Sequence, residues 1–440
     1  MSKLTTPSLH LAAQPVYLVA SAVNNLIRGL PAGTAYFIGI VLITMMTGQL
    51  IHHRGSLARA SLPYVLHLRW GGHRFERAMA RGQFSLDALF DRALGWCLAH
   101  LPVEPVAVGS ERRQMQAIDS STMARLRAGP GLGLAGKAYC HRARRAVRAN
   151  IVGVWTSIVL VRGSRLGLVR RTRFGATCEQ AVARLFADLP ASPEKRCFAV
   201  DAGIATREQF LAATDRDALV GRLRRNVKLR RAAPPRKPRR RGRPRRHGPV
   251  LHPGGKHPEG RPEEDYTQRV GDRQVRLRRW RKLHLESAPR AVIEVVRVDD
   301  PAYPRRLLIG TTAGELSTEE IRQADGHRWP VETNFYVAQG GCGMEMPRAW
   351  TEPSVSRRIS LALLTGAVLK ANAAACEPLR MGPWDRRAVG SAGRLANHLD
   401  LQASNFAALA LEGVAPRNYR KTDEAIHRND LQHSSSTTVL

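Results

Sequence analysis

The sequence predicts an α/β protein: a mixed sheet with flanking helices, interrupted by a β-rich insertion and preceded by an all-α N-terminal domain. Three observations carry that expectation. Residues 1 to 105 are apolar runs built from helix formers, broken by Pro31, Pro63 and Gly71-Gly72. From 106 to about 226, short β-branched apolar runs alternate with amphipathic stretches. From Tyr266 to His284 an alternation of period two returns, with Val275 and Leu277 on one face and Arg276 and Arg278 on the other.

Taken in order, the N-terminal domain (1–105) holds an uncharged stretch from Ala32 to Ile51. Its glycines, threonines and Gln49 make it a buried helix rather than a membrane span. An amphipathic helix follows from about Phe84 to Leu101. The first part of the core (106–230) begins with the run Met115-Gln116-Ala117-Ile118, which leads into Asp119. The Gly-rich loop from Gly129 to Lys137 mimics a nucleotide-binding loop but has Ala138 where a metal-binding hydroxyl belongs, which argues against that function. Strands are expected at Ile151–Val161 and Leu166–Val169 about a turn at Gly163, then a helix at Cys178–Leu189. The run Cys197-Phe198-Ala199-Val200 is the next strand and leads into Asp201, followed by a helix through Arg207–Leu211 and a strand at Ala218–Leu223.

A basic linker and the β-rich insertion occupy 231–290. The second part of the core (291–376) has strands at Ala291–Val296 and Arg306–Thr311 and a helix from Leu316 to Gln339. Ser317-Thr318-Glu319-Glu320 caps that helix, and Pro330 should kink it or split it. An apolar helix at Ile359–Ala375 closes the core, and 377–440 reads as a tail, disordered from His433 to Leu440.

The charge balance narrows the function. Of 440 residues, 69 are Lys or Arg and 36 are Asp or Glu, a formal charge of +33. Such an excess points to a polyanion, and double-stranded DNA is the leading candidate. The basic residues are spread along the chain, which argues against a membrane surface. Six cysteines without a Cys-x2-Cys pair exclude a zinc knuckle and a disulfide scaffold, and fit a reducing cytoplasm. Residues 222–247 contain fourteen Lys or Arg and no acid. Their centre, Arg241-Gly242-Arg243-Pro244-Arg245-Arg246, is similar to an AT-hook, whose arginines enter a narrow minor groove. A plain basic linker on phosphates is the other reading, and both make Arg241, Arg243, Arg245 and Arg246 DNA contacts.

The chemistry gathers at Gly326-His327-Arg328-Trp329-Pro330-Val331-Glu332-Thr333-Asn334-Phe335. At helical spacing Arg328, Glu332 and Gln339 share a face. Asp119 and Asp201 follow apolar strands, where a sheet can present side chains to a substrate. Asp119, Asp201 and Glu332 are three hard oxygen donors, a set suited to Mg²⁺ or Mn²⁺.

Those residues resemble the DDE transposases of bacterial insertion sequences. In the branch with a Tyr-x2-Arg-x3-Glu-x6-Lys signature, Arg328, Trp329, Glu332 and Phe335 stand at matching places. Ile118-Asp119-Ser120-Ser121-Thr122 and Val200-Asp201-Ala202-Gly203 resemble the two aspartate motifs. The Tyr position holds Asp325 and the Lys position Gln339. The resemblance spans roughly Asp119 to Asn372. It implies a ribonuclease-H-like core with its first and fourth strands adjacent, and catalysis by Asp119, Asp201 and Glu332 with Mg²⁺ or Mn²⁺. Water would cut at the transposon ends, and the freed 3′-hydroxyl would attack target DNA. It further implies Arg328 on the scissile strand with Trp329 packed or stacked beside it, a homodimer on DNA, and a bacterial cytoplasm, at the nucleoid and without a membrane partner. The departures keep open a repurposed DNA-binding copy, and a metal-dependent nuclease of the same fold is the third reading. A transposase gene predicts short inverted repeats just outside both ends of the reading frame; sequencing the flanking DNA checks this, and their absence favours the repurposed copy.

Overall fold

The computed structural model describes residues 15–64, 73–125, 135–140, 144–234, 246–255, 260–346, 348, 349, 351–380, 382, 385 and 387–414. The chain forms a mixed α/β structure of two compact units, Pro102–Phe335 and Met1–Leu101 with Tyr336–Leu440. The first segment folds as α1 (Pro15–Ile27), α2 (Ala32–Met46), α3 (Gln49–His52), α4 (Leu57–Ala60), α5 (His73–Arg81) and α6 (Leu86–His100). The uncharged stretch covers α2, buried without a break from Ile38 to Met46, and runs past Gly48 into α3. A helix apolar on every side needs partners on every side. No helix among the described residues is long and apolar enough to cross a membrane.

The unit Pro102–Phe335 is built on one sheet. Its first strands are β1 (Val103–Pro105), β2 (Ala107–Val108), β3 (Arg113–Ala124), β4 (Ala135–Cys140), β5 (Arg145–Val161) and β6 (Ser164–Gly175). Helix α7 (Cys178–Ala187) crosses to β7 (Arg196–Val200), and α8 (Arg207–Ala212) crosses to β8 (Asp217–Arg222). The β5–β6 hairpin turns at Gly163, whose φ of 76° suits glycine. β5 pairs antiparallel with β3 and β6, whereas β3–β7 and β7–β8 are parallel. Each parallel pair is joined through a helix, as parallel connections require. Helix α7 lies close over β5, because a Cβ on Gly153 would stand 3.0 Å from Leu185 and 3.1 Å from Ala181.

The β-rich stretch follows as β9 (Leu229–Arg231), β10 (Val250–Leu251), β11 (Glu264–Val270), β12 (Arg273–Leu285), β13 (Ala288–Asp299) and β14 (Leu307–Thr311). These strands continue the same sheet, since β14 pairs with β8 and the order runs β8-β14-β13-β12-β9-β10. The expected insertion is therefore not a body apart from the core. One apolar cluster joins Ile118, Trp155, Phe198 and Leu219 to Trp280, Leu283 and Val295.

The expected helix from Leu316 to Gln339 is two helices, α9 (Thr318–Gly326) and α10 (Trp329–Gly340). Ser317 caps α9 through a capping box with Glu320. Pro330 is the second residue of α10, where a missing N–H breaks no helical bond. The split falls at His327-Arg328, immediately before Glu332.

From Tyr336 the chain groups with the N-terminal helices, so neither the expected N-terminal domain (1–105) nor the second core part (to 376) coincides with a compact unit. The cause is α11 (Glu352–Ala375), buried without a break from Arg358 to Ala373 and packed against α1, α2, α5 and α6. The stretch read as tail carries α12 (Ala392–Leu401) and α13 (Ala403–Ala410), which bury Leu395, Leu399 and Phe406. The expected disordered end, His433–Leu440, lies outside the described residues, as do most of the Gly-rich loop and Arg241, Arg243 and Arg245.

Trp155 is 1% exposed on β5, beside the Asp119 strand and paired with Ile118. Trp155→Ala should cost about 3–5 kcal/mol, read as a lower urea midpoint at unchanged denaturant slope.

Candidate active site

Asp119 and Asp201 are set side by side by strand register. The parallel ladder of β3 and β7 ends at the pair Ile118–Val200, and each aspartate is the next residue. Neighbouring strands stand about 5 Å apart, so the two carboxylates leave the sheet as neighbours. Both aspartates were expected at strand ends, but β3 runs on to Ala124 because the longer β5 keeps pairing with it. The β7 chain does stop at Val200, where the Asp201 carbonyl accepts from the N–H groups of Ile204 and Ala205, each at 2.9 Å.

Glu332 arrives from α10, and one guanidinium collects all three acids. Arg328 lies 3.0 Å from Asp119, 2.7 Å from Glu332 and 4.0 Å from Asp201. The first two contacts share the same guanidinium nitrogen, so those carboxylate oxygens are no farther apart than the sum of the two distances. Arg328 itself is 5% exposed, and its buried Nε has no hydrogen-bond partner.

Charge is left over in this cluster. Burial pushes the Asp119 carboxyl up to about 6; Asp201 and Glu332 push the same way, against the Ser120 N–H and Arg328. Three carboxylates facing one guanidinium form an under-neutralised group that favours further positive charge. Hard oxygen donors in that state suit Mg²⁺ or Mn²⁺ by charge and by type. No group of three His, Cys, Asp or Glu side chains among the described residues is arranged to hold a metal ion, and here Arg328 bridges Asp119 and Glu332.

The rest of the window has separate tasks. Trp329 opens α10 at 62% exposure, so it is no part of a core. Burial and the charge of Arg165 push the His327 imidazole down to about 4, which leaves it neutral at pH 7. Asp325, at the family's Tyr position, is buried and takes three bonds of 3.0–3.1 Å from Arg222 at the end of β8. Burial works against the Arg222 charge, but Asp325 outweighs it and holds the guanidinium above its ordinary value. Sequence reading missed Arg222, and nothing local signals a partner 103 residues away. Gln339 is a half-buried residue near the end of α10. Of the four hook arginines only Arg246 is described, and it is exposed. No protein-family model matches the chain, and no curated protein matches it in sequence.

The Asp119 shift has a consequence for stability. An acid raised from 3.8 to about 6 binds more protons folded than unfolded between those values, so it lowers stability as pH rises through that window. Asp119→Asn should therefore be more stable than the parent at pH 7 by about 1–3 kcal/mol, and the gap should close by about pH 4. Urea unfolding at the two pH values checks the sign.

Proposed function

We propose that this chain is a DNA transposase of the DDE kind, working on a ribonuclease-H-like core. It would cut DNA at transposon ends and join the freed 3′-hydroxyl to target DNA. The observation that carries the reading is the convergence of Asp119, Asp201 and Glu332, drawn from two neighbouring strands and a helix, on the single Arg328 guanidinium. The adjacency of β3 and β7, first and fourth strands of the expected core, supports the ribonuclease-H-like reading. The formal charge of +33 supports a DNA substrate.

In this reading Asp119, Asp201 and Glu332 hold Mg²⁺ or Mn²⁺. The bound cations would supply Lewis-acid stabilisation of the attacking and leaving oxygens. Asp119 is a rigid donor because its backbone pairs with Val154 of β5, and Asp201 is held just past β7 by the bonds its carbonyl accepts from Ile204 and Ala205. Glu332 closes the set from the first turn of α10. Arg328 is tied to the acids in the structure; once their charge is met by cations, its guanidinium becomes available to a phosphate oxygen, and its Nε–H already has no partner to give up. Exposed Trp329 fits a stacking contact with a base beside the cut. Arg241, Arg243, Arg245 and Arg246 would grip the duplex away from the cut. The working form would be a homodimer on DNA, in the bacterial cytoplasm at the nucleoid.

A second reading has an observation of its own. Gln339 stands where the family has Lys, and Arg222–Asp325 replaces the Tyr position with a closed ion pair, so two groups that would handle the strand carry no free charge or hydroxyl. A repurposed copy that binds DNA without joining it follows from that.

One assay separates these. With DNA spanning the segments that flank the gene, the protein should nick or cut in Mg²⁺ or Mn²⁺, lose activity with EDTA and yield joined products. Asp119→Ala, Asp201→Ala and Glu332→Ala should each fall by more than about 100-fold while still shifting DNA in a gel. Binding that is equal in parent and variants, with no cleavage in either metal, selects the repurposed copy. Cutting without joining selects a nuclease.

A further inference from the structure

One cleft of the sheet unit is built mostly of turn residues and is lined by none of the three acids. It has a volume of about 530 Å³ and lies between the loop after β8 and the β13–β14 turn. Arg225 forms one side; Tyr303, Arg305 and Arg306 form the other. No Leu, Ile, Val or Phe lines it; its apolar surface comes from Pro301, Tyr303 and Pro304.

Its shape is fixed before any ligand arrives. Pro301 and Pro304 stiffen the rim, and Asp300 bonds the N–H groups of Ala302 at 2.8 Å and Tyr303 at 3.0 Å. The floor is Gly254, where a Cβ would stand 2.6 Å from the Arg225 carbonyl oxygen; only glycine lets the two loops meet so closely.

Its charge is positive despite two acids in the lining. Asp299 is taken up by Arg278, Arg297 and Arg306, and Asp300 by Arg273 at 3.2 Å. Arg225 and Arg305 are exposed and, among the described residues, make no ion pair. Arg225 also belongs to the basic run that starts at Arg222 and leads to the hook. Arg225 follows three residues after Arg222, which bonds Asp325 of α9. A rigid, open, cationic trough with two unpaired guanidiniums and a phenol hydroxyl fits a sugar–phosphate backbone.

We propose that the cleft between Arg225 and Arg305 is a second DNA-backbone site, which holds phosphates of the duplex outside the Asp119–Asp201–Glu332 cluster. The proposal rests on the reading above for the identity of the polyanion as DNA. Its contacts are to phosphates, so it contributes affinity and register and no base preference.

The test is binding of a short fluorescent duplex by the full chain, measured by anisotropy across a salt series. Arg225→Ala with Arg305→Ala should weaken binding about 10-fold and reduce the slope of log affinity against log salt by about 2. Arg225→Lys with Arg305→Lys should keep the parent slope. Arg162→Ala with Arg290→Ala, exposed arginines outside the cleft, should change it less. Gly254→Val, which forces the two loops apart and removes no charge, should weaken binding in the same direction. Parent-like slope and affinity in the Arg225/Arg305 alanine variant overturn the proposal. So does an equal loss in the Arg162/Arg290 variant, or a parent protein that binds no duplex. A parent that binds with the full slope but never cleaves in Mg²⁺ or Mn²⁺ overturns the enzyme reading and leaves the cleft standing.

Discussion

Like charges must be held together here, and the Arg328 guanidinium holds them. Asp119, Asp201 and Glu332 come from positions 119, 201 and 332 of the chain, and three carboxylates at close quarters repel. A buried arginine with contacts of 3.0, 4.0 and 2.7 Å to the three offsets that repulsion only in part, since one positive charge faces three carboxylates, and burial raises the Asp119 carboxyl further. A buried charge group of this kind adds little net stability, because desolvation consumes most of the attraction. It does set position: the break between α9 and α10 falls where Arg328 can turn inward and Glu332 can follow one turn later.

The sheet is the support for that arrangement. β3 and β7 fix two carboxylates as neighbours, while the long β5 and the packing of α7 on Gly153 keep the strands from shifting. A one-residue slip would turn an aspartate to the other face. The continuation through β14, β13 and β12 brings the arginine-rich strands onto the same rigid body as the acids. The arginine-rich strands and the candidate site therefore share one frame, in which Arg222 at the end of β8 bonds Asp325 of α9.

Much of the local structure was legible from side-chain pattern. The β5–β6 hairpin, α7, the strand before Asp201, α8 and the capped start of α9 fall within a few residues of their expected places, except that β5 already begins at Arg145 and β6 runs on to Gly175. Each has a short-range physical cause: β-branched runs, a glycine turn, or a Ser-x2-Glu cap. Pro330 even marks the break in the helix. Less visible were features set by distant partners. The extension of β3 beyond Asp119 depends on β5, the integration of the β-rich stretch depends on β14 meeting β8, and the helices after Cys376 depend on surfaces of α1 and α11.

By itself the sequence determined the α/β class, the cationic surface, the three acids and the arginine one turn before Glu332, because periodicity, charge and short spacing are properties of neighbouring residues. Tertiary structure alone decided that those acids meet and that Asp325 is spent on Arg222. It also decided which chain segments share a compact unit, and where Arg225 comes to face Arg305. Each of these is a contact between residues far apart along the chain, and such contacts are selected by the packing of whole elements against one another, which no local window encodes.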